Sequence, residues 1–366
     1  MRALLFVAMF VLTTSAVAQS PQAVNTAAIL AERPPQILAE YRFFRDAGAR
    51  APNARVTPYD LNTALYSDGA LKFRYVYIPP GQTARYDAEG VFEFPVGTVL
   101  IKTFAFAADM RTPGENVRFL ETRLLIRRTD GWIALPYVWN EAQTEARLSP
   151  IGADIPVSFT DENGAAVAFD WAVPNRNQCK GCHDRAGDLV PIGPSARNLN
   201  RSAYYAYAEP LPALHGMTAQ GVWRNQLAEW IDRGLLDQAP ADAPRVASAY
   251  DTVDTVEQRA RAYLDVNCAH CHNPEGPAHT SGLDLRWSQH EPVQWGVLKR
   301  PVAAGRGSAG YEFAIEPGHP ERSILLYRME STDPGVMMPE LGRQRVDARG
   351  VALIRAWIAE MDEGAN

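Results

Sequence analysis

Long hydrophobic runs are scarce in this sequence of 366 residues. Only its beginning has one, where Arg2 precedes an apolar run from Ala3 to Leu12 and Ala16-Val17-Ala18 stands before Gln19. That layout is typical of a cleaved secretory signal peptide, so we expect residues 1–18 to be removed on export, most simply to the periplasm. No later run of about 18 uncharged apolar residues could form a transmembrane helix. The sequence predicts an exported chain with no transmembrane segment.

Positive charge is also in short supply. The 36 Lys and Arg residues are outnumbered by 42 Asp and Glu, which gives a formal net charge of −6. Nucleic acid and anionic membrane surfaces attract basic proteins, so this balance argues against both as partners. The length remaining after the signal peptide suggests two or three domains.

Cysteine is the rarest chemistry-bearing residue, and its spacing is more informative than its number. All four cysteines fall in two copies of one pattern, Cys179-Lys180-Gly181-Cys182-His183 and Cys268-Ala269-His270-Cys271-His272. Two thiols at this spacing can both add to the vinyl groups of one porphyrin, and the adjacent histidine then serves as the proximal iron ligand. Zinc binding and disulfides are the alternatives, but a four-cysteine zinc site leaves both histidines unexplained. We therefore expect two covalently bound haem c groups, haem 1 at Cys179, Cys182 and His183 and haem 2 at Cys268, Cys271 and His272.

The region 60–172 contains neither histidine nor cysteine, which excludes a histidine-dependent catalytic triad built from it alone. It reads as short strands with period-two alternation, such as Leu71 to Tyr77 and Val99 to Phe106. Asp130-Gly131 and Asn163-Gly164 are strong hairpin signals. Val91 to Phe94 adds a further expected strand. We predict an antiparallel β domain here, of the sandwich or barrel-like type, after an N-terminal extension over 19–59.

Residues 173–237 are expected to form a small, mainly helical domain around haem 1. Trp223, Leu227, Trp230 and Ile231 fall at helical spacing before Gly234, a natural C-cap. Gly193-Pro194 resembles the Gly-Pro of class I cytochromes c, whose proline carbonyl accepts the Nδ1 proton of the haem histidine; a simple turn is the alternative. The sequence leaves several alternatives for the sixth ligand of haem 1. They are Met217, His215, a donor from the β domain such as Met110, or no protein ligand, which would leave the iron five-coordinate.

A linker rich in proline over 238–249 leads to a last domain, 250–366. Thr255 and Gln258 form a capping box before a helix that runs into Cys268, and Asp347 can cap a C-terminal helix. These framing helices resemble those of class I cytochromes c. Met338, in Val336-Met337-Met338-Pro339-Glu340-Leu341-Gly342, matches the Met-Pro loop that supplies the sixth haem ligand in many bacterial cytochrome c domains, with Met337 as the alternative. The resemblance implies a methionine-ligated haem 2. The other histidines are expected at the surface or in turns, namely His279, His290 and His319, with His270 a solvent-facing spacer.

The mature chain also resembles an uncharacterised family of exported bacterial dihaem cytochromes c with a strand-rich N-terminal domain. The matching stretches are Thr57-Pro58-Tyr59-Asp60-Leu61-Asn62, Phe94 to Thr103, Tyr137-Val138-Trp139-Asn140, Asn177-Gln178-Cys179, Pro191-Ile192-Gly193-Pro194 and Asn225-Gln226-Leu227. Genes of this family often neighbour one for a parallel β-helix protein, so the resemblance implies such a partner beside redox proteins of the periplasm.

The expected fold is thus α+β, with an antiparallel β domain followed by two mainly α-helical haem domains, the last similar to class I cytochrome c. The expected function is electron transfer between redox partners. One alternative is an enzyme of the dihaem peroxidase type, in which haem 1 has an open iron face. The other is a binding module, in which the β domain captures a ligand or partner and the haems relay electrons.

Overall fold

The computed structural model describes residues 23–205 and 222–362 and is a mixed α/β structure. An antiparallel sheet of six strands forms its N-terminal side, and several helices follow. The strands are β1 (Val56–Tyr59), β2 (Leu71–Tyr77), β3 (Val99–Ala107), β4 (Val117–Arg128), β5 (Gly131–Trp139), β6 (Ala146–Leu148), β7 (Ala153–Thr160), β8 (Ala166–Val173), β9 (Asp184–Arg185), β10 (Asp188–Leu189), β11 (Ser202–Tyr205) and β12 (Val222–Asn225). The α-helices are α1 (Thr26–Leu30), α2 (Arg176–His183), α3 (Ala196–Leu199), α4 (Gln226–Asp232), α5 (Val256–Asn267), α6 (Pro292–Trp295), α7 (Ile324–Glu330) and α8 (Ala348–Ala359).

The large sheet is a meander in which β1 to β6 pair in chain order. The two predicted hairpins are confirmed: β4 and β5 meet with Arg128 opposite Gly131, and β7 and β8 form a separate two-stranded ribbon. The predicted antiparallel β structure is confirmed, and within the described chain β1 and β6 do not pair with each other, so the sheet is open at both edges. The predicted strand at Val91 makes only isolated bridges.

The sheet begins at Val56, inside the segment predicted as an N-terminal extension. Pro58 argues against a strand in the sequence, because proline lacks the N–H that most strand positions need. The strand forms nevertheless, because β1 is an edge strand, where that N–H is not needed. The preceding residues also belong to the core, since Ile29, Tyr41 and Phe43 are buried against one face of the sheet.

Strand β3 shows how the two faces of the sheet differ. Val99 and Ile101 point to the core that α1 covers. On the other face Leu100 packs in the cluster that contains Trp230 of α4, and Phe104 packs under the β7–β8 ribbon. Lys102 stands between them, because side chains alternate along a strand. The second face is therefore covered at both ends and leaves a space in its middle.

The last part of the chain is built on the two predicted framing helices. Thr255 and Gln258 form the expected capping box at α5, and Asp347 caps α8 by accepting a hydrogen bond from the Gly350 N–H. The two helices pack against each other. Trp223 was wrongly assigned to the helix now seen as α4: it lies in β12, is 70% exposed, and Asn225 caps the helix after it.

The proline-rich segment predicted as a linker contains no helix or strand but is packed. Val246 and Ala249 are buried, and the Thr63 hydroxyl donates to the Ala247 carbonyl at 2.8 Å. Thr63 lies between β1 and β2, so this segment joins the sheet to the helices after it. Over the described residues, every helix is too short or too polar to cross a membrane.

Candidate functional site

The first Cys-x-x-Cys-His motif lies on α2, which follows directly from the β7–β8 ribbon. Asn175 and Gln178 form a capping box that fixes the start of this helix. The His183 imidazole donates from Nδ1 to the Val190 carbonyl at 2.7 Å. Of the two alternatives for Gly193-Pro194, the one in which the Pro194 carbonyl accepts this proton is therefore wrong. That carbonyl accepts from Phe92 instead. The bond fixes the ring with Nε2 left for a metal, and burial lowers the His183 pKa to about 4, which keeps the imidazole neutral.

The second motif follows α5, with Cys268 as the C-cap of that helix. The His272 Nδ1–H donates to the Ser281 hydroxyl at 3.0 Å, and that hydroxyl donates to the Ala278 carbonyl at 2.7 Å. Burial lowers the His272 pKa to about 4 as well. Both motif histidines are therefore neutral, oriented through Nδ1 and free at Nε2, which is the state required of an iron ligand.

The two motifs are in direct contact with each other. The thiols of Cys182 and Cys271 are hydrogen-bonded, which lowers the pKa of Cys182 and raises that of Cys271. The Cys271 thiol also approaches the Gly181 carbonyl at 3.5 Å. Just beyond the motifs, the Ala186 N–H donates to the Glu275 carbonyl at 3.0 Å, and Arg185 forms an ion pair with the Glu275 carboxylate. Two segments about 90 positions apart in sequence thus form one unit.

The Met-Pro loop reaches this unit from the C-terminal side. The Met338 N–H donates to the Arg328 carbonyl at 2.9 Å, and the Arg343 guanidinium donates to the Met338 carbonyl at 2.8 Å. The backbone of Met338 is therefore held on both sides. Leu341 packs close to Gly181: a Cβ at position 181 would lie 2.7 Å from the Leu341 Cδ1, so the loop meets the first motif here.

A cavity of about 360 Å³ lies where the sheet, the first motif and the Met-Pro loop meet. Its wall includes Cys179, Cys182, His183 and Met338, with Trp171, Pro191 and Tyr263 among the many apolar and aromatic neighbours. Cys268, Cys271 and His272 are not part of this wall, although His270 is. The volume falls in the range of about 300–1,000 Å³ typical of cofactor sites. Met338, predicted for haem 2, therefore faces the space that the first motif borders.

The remaining predicted ligands fall elsewhere. Met217 and His215 lie outside the described residues. Met110 is buried in the core beneath the β7–β8 ribbon and does not line the cavity, so it is excluded as a ligand there. His319 pairs with Glu321 at 3.3 Å near the surface, as expected of a turn residue. His270 is not the predicted solvent-facing spacer: it lines the cavity, its Nδ1 is buried without a hydrogen-bond partner, and it contacts Cys182.

Three basic residues on the sheet side of the cavity were not predicted from the sequence; we call them the basic row. Arg74, Lys102 and Arg123 line it from three adjacent strands. Arg74 is the direct cross-strand partner of Lys102, which is the partner of Arg123. The alternation along β2 gave a signal, but it indicated only a polar face and did not distinguish solvent from an internal space.

The donor set matches haem iron better than a bare metal ion. Among residues 23–205 and 222–362, no group of three or more His, Cys, Asp or Glu side chains is arranged to hold a metal. A haem iron needs only one or two protein ligands, because the porphyrin supplies the others. A neutral histidine with a fixed Nδ1, two adjacent cysteine thiols and an apolar cavity meet those needs at the first motif.

Comparison with known proteins adds no relative: no family model, curated protein or solved structure matches this chain.

Proposed function

We propose that this protein is a dihaem c-type cytochrome that passes single electrons between redox partners in the periplasm. The observation that carries the proposal is the contact between its two Cys-x-x-Cys-His motifs. A carrier with two adjacent redox centres can accept an electron at one and release it from the other. The bound haems would supply the reversible change between ferric and ferrous iron.

The chain's own residues would do the rest. Cys179 and Cys182 would hold haem 1 by thioether bonds, and His183, fixed by the Val190 carbonyl, would be its proximal ligand. Cys268 and Cys271 would hold haem 2, with His272 fixed by Ser281. The apolar part of the cavity wall would limit the water around haem 1 and so the reorganisation that accompanies each electron transfer.

The proposal includes a class I cytochrome c-like unit over 250–366. Its support is the pair of capped helices α5 and α8, which pack together, and the Met-Pro loop, whose Met338 backbone is held at both its N–H and its carbonyl. A rigid loop suits a thioether ligand, because a soft sulfur donor at a fixed position favours ferrous iron and raises the potential.

The decisive experiment counts covalent haems. Acid-acetone extraction should leave haem on the protein, and mass measurement should show two haems, falling to one in Cys268→Ala/Cys271→Ala. Cys179→Ala/Cys182→Ala is the matched variant and should retain the other haem. Loss of all colour into the solvent would end the proposal.

A carrier is separated from the peroxidase-type alternative by adding cyanide or carbon monoxide to the native protein. A carrier with two six-coordinate haems should bind neither rapidly. Rapid binding at one haem, together with turnover of peroxide, would favour the enzyme instead.

A further inference from the structure

The row formed by Arg74, Lys102 and Arg123 is energetically costly as it stands. Like charges on directly paired residues of adjacent strands destabilise a sheet, and buried charges cost free energy unless they are compensated. The compensation here is uneven. Arg74 pairs with Asp60 at 3.1 Å, and Arg123 pairs with Glu121 through two hydrogen bonds of 2.6 and 2.8 Å. The Lys102 ammonium, in the middle, makes no side-chain hydrogen bond or ion pair within the described part of the chain, and it lies over the Phe104 ring, 4.7 Å from the ring centroid.

Arg74 also has unused hydrogen-bonding capacity. Its side chain is only 5% exposed, and its Nη2 is buried with no partner. An orphan guanidinium nitrogen in a cavity wall is the kind of group that a bound anion satisfies, because arginine presents its donors in a planar fork that matches a carboxylate. Burial holds the pKa of Lys102 well below its usual range, and a nearby anion would restore its charge.

The row has a direction relative to the first motif. Arg123 is close enough to Cys179 and Cys182 to interact electrostatically with both thiols. Arg74 lies two strands away, about 10 Å at the usual spacing between strands. Arg123, whose guanidinium is paired with Glu121, therefore stands near the cysteines, whereas the Lys102 ammonium and the unpartnered Nη2 of Arg74 lie on the strands farther from them.

A haem carries its vinyl groups and its two carboxylates at opposite edges of the macrocycle. We propose that Arg74 and Lys102 bind the carboxylates of haem 1, so that the β sheet forms half of the haem-1 site. This inference rests on the proposed function, because it requires a haem at Cys179 and Cys182. It gives the β domain a role that its lack of histidine and cysteine concealed.

The test is a redox titration of the full-length protein with both haems. Lys102→Met leaves no carboxylate of the chain unpaired, and the methionine side chain can still pack on the Phe104 ring, so the variant should fold and keep two covalent haems. Loss of positive charge favours ferric iron, so the potential of one haem should fall, with a roughly tenfold lower ferrous-to-ferric ratio at a fixed poise. Lys102→Arg should restore most of the loss, and Arg74→Gln should shift the same haem in the same direction. The haem is assigned with Cys268→Ala/Cys271→Ala, which retains haem 1 alone.

Lys72→Met is the matched control. Lys72 lies two positions before Arg74 on the same strand face, but it does not line the cavity and its Nζ donates to the Ala70 carbonyl at 3.3 Å. Lys72→Met should therefore shift the potential of either haem less than Lys102→Met shifts the potential of haem 1. Equal shifts of the haem potential in Lys72→Met and Lys102→Met, or no shift in either variant, would overturn the inference. If these variants still carry two covalent haems, the proposed function stands.

A free carboxylate is the other possible source of the anion. Sodium acetate, added at constant ionic strength, should not move the haem-1 potential if the row is already occupied by the haem carboxylates. An acetate-dependent shift in the wild type that is lost in Lys102→Met would show that the row binds a free anion and would overturn the assignment to haem.

Discussion

At the scale of single residues, the Met-Pro loop places the adjacent residues Met337 and Met338 in different surroundings. Arg343 donates to the Met338 carbonyl and also to the Met329 and Ser331 carbonyls at 3.2 and 2.8 Å, so one guanidinium joins the end of α7 to the Met-Pro loop. Met338 lines the cavity, whereas Met337 does not and its N–H donates to the Asp333 carbonyl. Two adjacent methionines thus differ in what their sulfur can reach.

Met338→Ala should abolish the weak near-infrared absorption of a methionine-ligated ferric haem. It should also lower the potential of that haem, because the lost sulfur favours ferrous iron. Met337→Ala should do neither, and near-infrared spectra of both variants check this. Combining Met338→Ala with each one-haem variant tells which haem it serves, since Met338 was predicted for haem 2 but faces the cavity beside His183. The reverse behaviour of the two methionines would refute the assignment of the ligand.

Much of the motif chemistry could be predicted from the sequence, because it depends on local spacing. The residues that orient His183 and His272 could not, since the Val190 carbonyl and the Ser281 hydroxyl are chosen by loop geometry. Lys102 and His270 were missed for a different reason. A single polar residue inside a strand or between motif residues is ordinarily assigned to solvent, and only the packing of distant segments turns its surroundings into the wall of a cavity.

At the scale of secondary-structure elements, helix ends were predicted best. Caps depend on residues within one turn, which is why Thr255, Gln258 and Asp347 were found correctly. The start predicted for α4 was wrong, because the spacing of Trp223 suited a helix while Val222–Asn225 forms β12, which pairs with β11. Strand β1, which was not predicted, extends the sheet at its edge, where proline can be accommodated in a strand.

The N-caps of α8 and α5 differ in burial, so removing each should change the free energy of unfolding by a different amount. Asp347 is buried and also accepts hydrogen bonds from the hydroxyls of Tyr250 and Tyr263, at 2.6 and 3.1 Å. Asp347→Ala removes the cap and leaves two partly buried hydroxyls unpaired, so it should lower the free energy of unfolding by about 2–4 kcal/mol. Thr255→Ala at the exposed cap of α5 should cost only about 1 kcal/mol.

Urea unfolding followed by far-ultraviolet circular dichroism measures both effects. Asp347→Asn keeps an oxygen at the capping position and should recover part of the loss. If Asp347→Ala and Thr255→Ala destabilise the protein equally, the tyrosine hydrogen bonds contribute nothing measurable.

At the scale of the whole molecule, the sheet and the helical part meet through more than the cavity. The Asp68 carboxylate, between β1 and β2, accepts the N–H groups of Gln344 and Arg345, each at 2.7 Å. Asn198 bonds Thr63, and Gln226 bonds Asp60, from the segment around the first motif. The three predicted parts therefore share buried polar contacts, which no pattern within any one of them could reveal. This arrangement brings the two motifs together and fixes them there.

The contact between the motifs leads to the last prediction. With haems attached, Cys182 and Cys271 become the thioether edges of two macrocycles, and their contact places those edges side by side. Two paramagnetic ferric irons held this close should interact, because magnetic dipolar coupling falls with the cube of distance. The electron-spin resonance spectrum of the fully oxidised protein should therefore be broadened relative to the sum of the two one-haem spectra. Cys268→Ala/Cys271→Ala and Cys179→Ala/Cys182→Ala supply those reference spectra. A native spectrum equal to their sum would mean that the haems are magnetically isolated, and the relay would then need a path through the protein between them.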